Sequence, residues 1–139
     1  MTLSGDTIRL FYDLWDETRT GREYVTSNVP AESVDKVPRS NAREVHHALT
    51  YFNRIGHLIA QGAFDEKFVT SLVGKEVIRA GERMRPFLAD ERTKRKDPEY
   101  QRYAEELIDR CHRAHPDYQP TYSEEEHHRE ERPAFGLRP

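Results

Sequence analysis

Long apolar runs are missing from this sequence. The longest, such as Leu58-Ile59-Ala60, are two or three residues, whereas a membrane-spanning helix needs about 20 predominantly apolar residues. No transmembrane segment is therefore expected. Cysteine is almost absent as well: Cys111 is alone, which excludes an intramolecular disulfide framework and suits a reducing compartment. Met1 to Asp6 show neither the basic region nor the apolar core of a secretory signal, so a cytoplasmic location is expected. Alternating strand patterns, internal repeats and a glycine-rich phosphate loop are also missing, and no Ser/His/Asp or Cys/His arrangement is legible. Catalytic residues: none are assigned. No cofactor is expected, and the reading is of a protein that is not an enzyme.

What is present is charge. Of 139 residues, 34% are charged and 35% hydrophobic, with a mean hydropathy of −0.95. One domain of this length buries a core only if its apolar residues are gathered on particular faces. The net charge is −3, so bulk nucleic-acid binding is not favoured. The distribution is uneven: residues 75–96 carry a surplus of +4 and residues 117–139 a deficit of −3.

The apolar residues do fall on helical faces. Ile8, Phe11, Tyr12 and Trp15, widened by Leu10 and Leu14, predict a first helix from about Asp6, capped by Ser4 or Asp6 and running toward Ser27. Gly21 marks its weak point. Residues 28–40, with Pro30 and Pro38, read as a linker. Val45, Ala48, Leu49, Phe52, Ile55, Gly56 and Ile59 define a second helix over Asn41 to Gln61. Ser40-Asn41 with Glu44 serves as its capping box, and Gly62 as its stop. Asp65 caps a short third helix bearing Phe68, Val69, Leu72 and Val73, which Gly74 ends or bends. Val77, Ile78, Gly81, Met84 and Leu88 outline a fourth helix, with Pro86 as a kink. Asp97-Pro98 opens a fifth, with Tyr100, Tyr103, Ala104, Leu107, Ile108 and Cys111 on its stripe. The fold class expected is all-α, a compact bundle of four to five helices over residues 1–116. Residues 117–139, with the Glu124-Glu125-Glu126 run and repeated proline, read as a disordered tail, because so polar a segment cannot bury enough apolar area to offset its chain entropy.

Three groups of residues are candidates for function. Cys111, His112 and His115 lie at spacings that put Cys111–His115 and His112–His115 on shared helix faces, as metal ligands require. A stripe cysteine beside two cations at a helix C-terminus explains them better. His46, His47 and the tail pair His127-His128 are the only sources of further ligands, and His46 is expected on the solvated side. Arg79, Arg83, Arg92, Lys94, Arg95 and Lys96 form the densest basic feature, suited to phosphate contact or simply to the dipole at a helix end. The acids that follow dilute it, and aromatic interleaving is absent. Tyr118, Tyr122 and Phe135 are aromatics in a polar tail, a composition typical of segments that fold onto a partner.

The order of motifs is itself informative. Leu10-Phe11-Tyr12-Asp13-Leu14-Trp15 is followed by a helix reading Val45-x-x-Ala48-Leu49-x-Tyr51-Phe52-Asn53-Arg54-Ile55-Gly56-His57-Leu58-Ile59. Then come Gly62-Ala63-Phe64-Asp65-Glu66, Leu72-Val73-Gly74, and Arg85-Pro86-Phe87-Leu88 before Glu91-Arg92. From Leu10 to about Arg113 this resembles the bacterial family designated domain of unknown function 4760. It departs at Ala80-Gly81, where an aromatic is common in the family. The resemblance implies a compact helical domain with no established chemistry, in which Gly56, Gly62, Asp65, Gly74, Arg85 and Pro86 are structural. The function expected is a non-enzymatic helical interaction or regulatory domain with a protein partner. A nucleic-acid-associated protein using the basic helix end and a metal-binding protein at Cys111, His112 and His115 are the alternatives. A second copy completing the core of so polar a bundle is a further expectation.

Overall fold

The computed structural model describes residues 4–27 and 34–120. Within them the chain forms five α-helices: α1 (Gly5–Asp16), α2 (Arg19–Ser27), α3 (Arg39–Ala60), α4 (Glu66–Arg95) and α5 (Arg102–Ala114). A single 3₁₀ turn, Val34–Lys36, precedes α3, and no strand occurs among the described residues. α5 packs against both α3 and α4, and α2 fits against the same two helices. Phe11, Leu49, Phe52, Ile55, Ile78, Met84, Phe87, Leu107 and Ile108 belong to one buried core.

The all-α expectation is met, with corrections at the boundaries. The first helix breaks at Glu17-Thr18 rather than at Gly21. Thr18 folds back, its backbone N–H and its Oγ1 donating to the Trp15 carbonyl at 3.0 and 2.6 Å. Gly21 is instead buried within α2. A Cβ there would lie 2.5 Å from the Glu44 carbonyl oxygen and 2.6 Å from Ala48 Cβ, so its lack of a side chain lets α2 lie directly on α3. Ser4 caps α1, accepting from the Thr7 N–H at 3.0 Å.

α3 begins earlier than the linker and capping box implied. Pro38 sits at its N-cap, no side chain caps it, and Ser40 and Asn41 lie inside the helix. Proline entering a helix supplies a preset φ and has no N–H left to satisfy, which displaced the start upstream of the Ser/Asn signal. At the other end the chain leaves α3 through Gly62 at φ +80°, the left-handed geometry for which glycine carries no penalty.

The expected third and fourth helices are one helix of 30 residues, α4, which runs through Gly74 and Pro86 without interruption. Asp65 starts it by accepting from the Phe68 N–H at 3.1 Å. Gly74 is a packing position: a Cβ there would stand 2.6 Å from His115 Nε2. The propensity cost of about 1 kcal/mol for a helical glycine is outweighed by burial on several sides of α4. The fifth helix starts at Arg102, not at Asp97-Pro98. Residues 96–101 form a connection in which Lys96 and Gln101 both adopt positive φ, 55° and 56°.

Candidate functional site

The basic cluster lies on α4 and its C-terminal connection, where the helix meets α5, α3 and the 3₁₀ turn. Each side chain has a distinct placement. Arg83 is 1% exposed, so it belongs to the interior and its assignment to phosphate contact is overturned. α4 is buried on several faces, and position 83 falls on one of them. Arg79 is half-buried, in a small hollow with Arg22, Glu23 and Glu76. Arg92 donates to the Tyr100 carbonyl at 2.9 Å and to Glu105 at 3.1 Å. Lys94 donates to Asp35 at 2.7 Å with Asp90 at 3.4 Å, and the Asp35 hydrogen bond raises its pKa. Arg95 donates to Glu91 at 2.6 Å and lies 4.2 Å from the Tyr100 ring centre. Lys96 is exposed at the helix end. Arg92, Lys94 and Arg95 are therefore ion-paired within the fold.

Arg95 also leads to a cluster that the sequence did not reveal. Its Nη2 donates to His46 Nε2 at 3.2 Å, and the Tyr100 hydroxyl is hydrogen-bonded to the same nitrogen. Gln101 bridges onward, donating to Thr50 Oγ1 at 2.9 Å and to the Tyr100 hydroxyl at 3.5 Å. A guanidinium only donates, so Nε2 of His46 acts as an acceptor and the imidazole is held neutral. Burial, reinforced by the Arg95 charge, pushes its pKa down. His46 is thus half-buried rather than solvated. The alternation of α3 placed it beside the stripe, and only the approach of residues 95–101 covers it.

A second network joins α4 to α5. Arg85 donates to Glu82 at 3.0 Å, Asp109 at 2.9 Å and Glu105 at 3.3 Å, while His112 donates to Glu82 at 2.6 Å. His115 donates to the Thr70 carbonyl at 2.7 Å, packed over Gly74. Cys111 is fully buried; burial, with Glu66 nearby, pushes its thiol pKa up to about 12. The three metal candidates therefore serve three separate contacts. Among the described residues no group of three or more metal-ligating side chains converges. Tyr118 packs on the core at the end of α4's first half, with Lys75 Nζ 5.7 Å from its ring centre. Tyr122, Phe135 and His127-His128 lie outside the described residues, as does all of the acidic segment from 121 onward.

One further feature was hidden in the stripes. Leu10 (46%), Tyr12 (44%) and Leu72 (41%) are the large apolar side chains left exposed among the described residues. All three sit on α1 and the N-terminal half of α4, helices joined where the Phe11 and Phe68 rings meet edge-on at 5.7 Å. Phe68 and Leu72, with Asp65, Lys67 and Ser71, line an open hollow of about 440 Å³. The periodicity assigned these residues to the core side, although each stands at the margin of its stripe.

With this geometry in place, comparison with known families is decisive for membership. The sequence model of Domain of unknown function (DUF4760) matches residues 7–111, about three-quarters of the chain. The chain belongs to the DUF4760 family. The match takes in α1 to α4 and most of α5, and stops before His112, His115 and Tyr118. No curated protein and no solved structure matches the chain. Within the DUF4760 domain, five of the six positions expected to be structural are so placed, while Pro86 lies inside an uninterrupted α4. Gly56 lies against the Tyr103 backbone, Gly62 turns the chain, Asp65 caps α4, Gly74 receives His115, and Arg85 ties α4 to α5. No helix among the described residues is long and apolar enough to cross a membrane.

Proposed function

We propose that this DUF4760 protein is a non-enzymatic helical interaction domain, and that it binds a protein partner through the face shared by α1 and the N-terminal half of α4. One observation carries the reading: Leu72 on α4 is exposed beside Phe68 in an open hollow, and the Phe68 ring meets Phe11 of α1, a helix that also leaves Leu10 and Tyr12 exposed. Scattered single apolar residues are ordinary on a surface, but an open hollow in which Phe68 and Leu72 are rimmed by polar side chains is the kind of surface that partner helices occupy. The basic end of α4 supports this choice by contrast. Arg92, Lys94 and Arg95 already hold Glu105, Asp35 and Glu91, so phosphate binding there would first have to break ion pairs.

The test is capture from a lysate of the native cell with the full chain, beside a Leu10→Glu/Leu72→Glu double variant and a Lys94→Glu/Lys96→Glu variant. A protein retained in high salt by the parent and the charge variant, and lost by the apolar-face variant, supports the reading. Retention that ignores the apolar face overturns it. Nucleic acid shed by salt and lost in the charge variant would transfer the function to the helix end.

A further inference from the structure

α3 is lopsided in charge. Its 22 residues include Arg39, Arg43, Arg54 and three histidines against one acid, Glu44. Val45, Leu49, Phe52, Ile55 and Ile59 turn one side of the helix into the core, so most of the cations fall on the other. Arg43, His47, Tyr51, Arg54 and His57 follow one another three or four residues apart, which makes them neighbours along one outer stripe. From Arg43 to His57 the stripe is about 21 Å long.

Rings alternate with the cations along it. The Arg54 guanidinium lies over the Tyr51 ring, 4.5 Å from its centre, and His47 tilts against the same ring at 4.8 Å. Across the seam with α5, His57 meets Tyr103 at 4.7 Å, and Arg102 lies 4.8 Å from the Tyr103 ring centre. Asn53 fixes this second ring in place by accepting from the Tyr103 N–H at 2.9 Å. Arg43, His47, Arg54, His57 and Arg102 are exposed, and the two tyrosines are half-buried, so the rings are anchored yet reachable. At the margins Glu17 accepts from His47 at 2.8 Å and Glu99 lies 3.4 Å from Arg102. Arg43 and Arg54 hold no carboxylate among the described residues. The basic end of α4 differs, because Arg92, Lys94 and Arg95 there are ion-paired.

We propose that this stripe, with Arg102 and Tyr103, binds single-stranded nucleic acid. Phosphates lie against the arginines, and bases stack on the tyrosine rings and guanidinium planes. About six nucleotides fit the stripe at a rise of about 3.4 Å each. A duplex keeps its base faces inside the stack, and an acidic peptide would use the cations and leave the rings idle. The surface lies on other helices than the proposed protein-docking face, so the two readings stand or fall independently.

Fluorescence anisotropy on the full chain tests this, with labelled oligo(dT) and oligo(U) of about twelve nucleotides, the matching duplex and polyglutamate as probes. A single strand should bind at low salt with Kd below about 100 µM, and the tighter of the two says whether DNA or RNA is held. Three cations on a single strand predict a slope of about −2 for log K against log salt, a loss of about 15- to 20-fold from 50 to 200 mM. Arg43→Glu/Arg54→Glu should weaken binding about tenfold or more and flatten that slope. Tyr51→Leu keeps the apolar bulk and should weaken binding about fivefold at unchanged slope, the mark of a lost stacking platform. Lys94→Glu/Lys96→Glu should bind like the parent. Far-UV circular dichroism checks that each variant is folded, and Tyr51→Leu decides alone if the charge reversals disturb the helix. No single-strand binding at about 100 µM chain overturns the inference. So does equal affinity for duplex or polyglutamate, an unaffected Tyr51→Leu, or a loss confined to the Lys94/Lys96 variant.

Discussion

Toward its C-terminal end α4 is clasped by α5, with Gly81 beneath Ile108 and Arg85 and Arg92 on the acids of α5. Toward its N-terminal end the same helix is still held by α5 and its C-cap, through Glu66–Arg110 and Thr70–His115, but it also meets α1 through Phe68 and leaves Leu72 open. The clasped region continues across to α3. There Gly56 brings the helix backbone against Tyr103, and Asn53 Oδ1 accepts from the Tyr103 and Ala104 N–H groups at 2.9 and 3.1 Å. In this region polar and apolar side chains alike are committed within the fold. On the α1 side the interior is a stack of rings, Phe11 with Trp15 and Trp15 with Phe52, yet neighbouring leucines remain in solvent. The contrast teaches where to look for function. A region whose groups are committed to one another contributes stability, whereas surface that the fold leaves uncommitted can be used by another molecule.

Substitutions can break or sharpen this contrast. The largest effect is expected at Gly56→Ala, whose added methyl would run into the Tyr103 carbonyl, a backbone atom that cannot step aside. A loss of about 3 kcal/mol is expected from such overpacking, read as a lower urea midpoint at unchanged slope. A loss below about 1 kcal/mol would mean that α3 and α5 part easily, and the contrast would weaken. Next comes Asn53→Ala. It orphans the Tyr103 N–H and leaves the Ala104 N–H with the Gln101 carbonyl alone, and should cost about 1–2 kcal/mol in the same measurement.

A smaller, conditional effect belongs to His46. Its pKa is lowered in the folded chain by burial and then by Arg95, with Glu91 opposing. The unfolded chain therefore takes up the proton first. The contribution is fully present above about pH 6.5 and is lost as pH falls from there toward the folded value. His46→Gln should flatten the pH dependence between pH 7.5 and 5.5 relative to the parent, and an equally steep profile would remove His46 from the account. The smallest stability effect is expected on the open face. Leu10→Glu or Leu72→Glu should shift stability by no more than about 0.5 kcal/mol while abolishing partner capture. A large loss of stability there would show that the two regions are alike after all.

The sequence disclosed the helices more readily than their uses. Phe11 with Trp15, the Val45–Ile59 series and the Leu107–Cys111 turn are legible because one buried face repeats every three to four residues. Gly74 and Asp97-Pro98 misled because they are local punctuation, and tertiary packing overrode each. His115 fills the space over Gly74, and the αL residues Lys96 and Gln101 delay α5 until Asn53 can meet its first N–H groups. Arg83 and His46 show the same limit for side chains. Whether a residue at the edge of a stripe is buried depends on a neighbour arriving from far along the chain. Leu72 is the converse, an apolar residue that its described neighbours leave 41% exposed.

The cap on α5 has a consequence for how the chain folds. α5 carries no side-chain cap of its own; the acceptor for its first N–H groups comes from Asn53, some fifty residues upstream. Thirteen residues make a marginal helix in isolation, so a peptide of residues 102–114 should be largely unstructured in water. α5 then becomes helical only as α3 receives it. Its amides should exchange with solvent chiefly when the whole domain opens, marking α3 and α5 as a single cooperative unit rather than two helices that form and then dock.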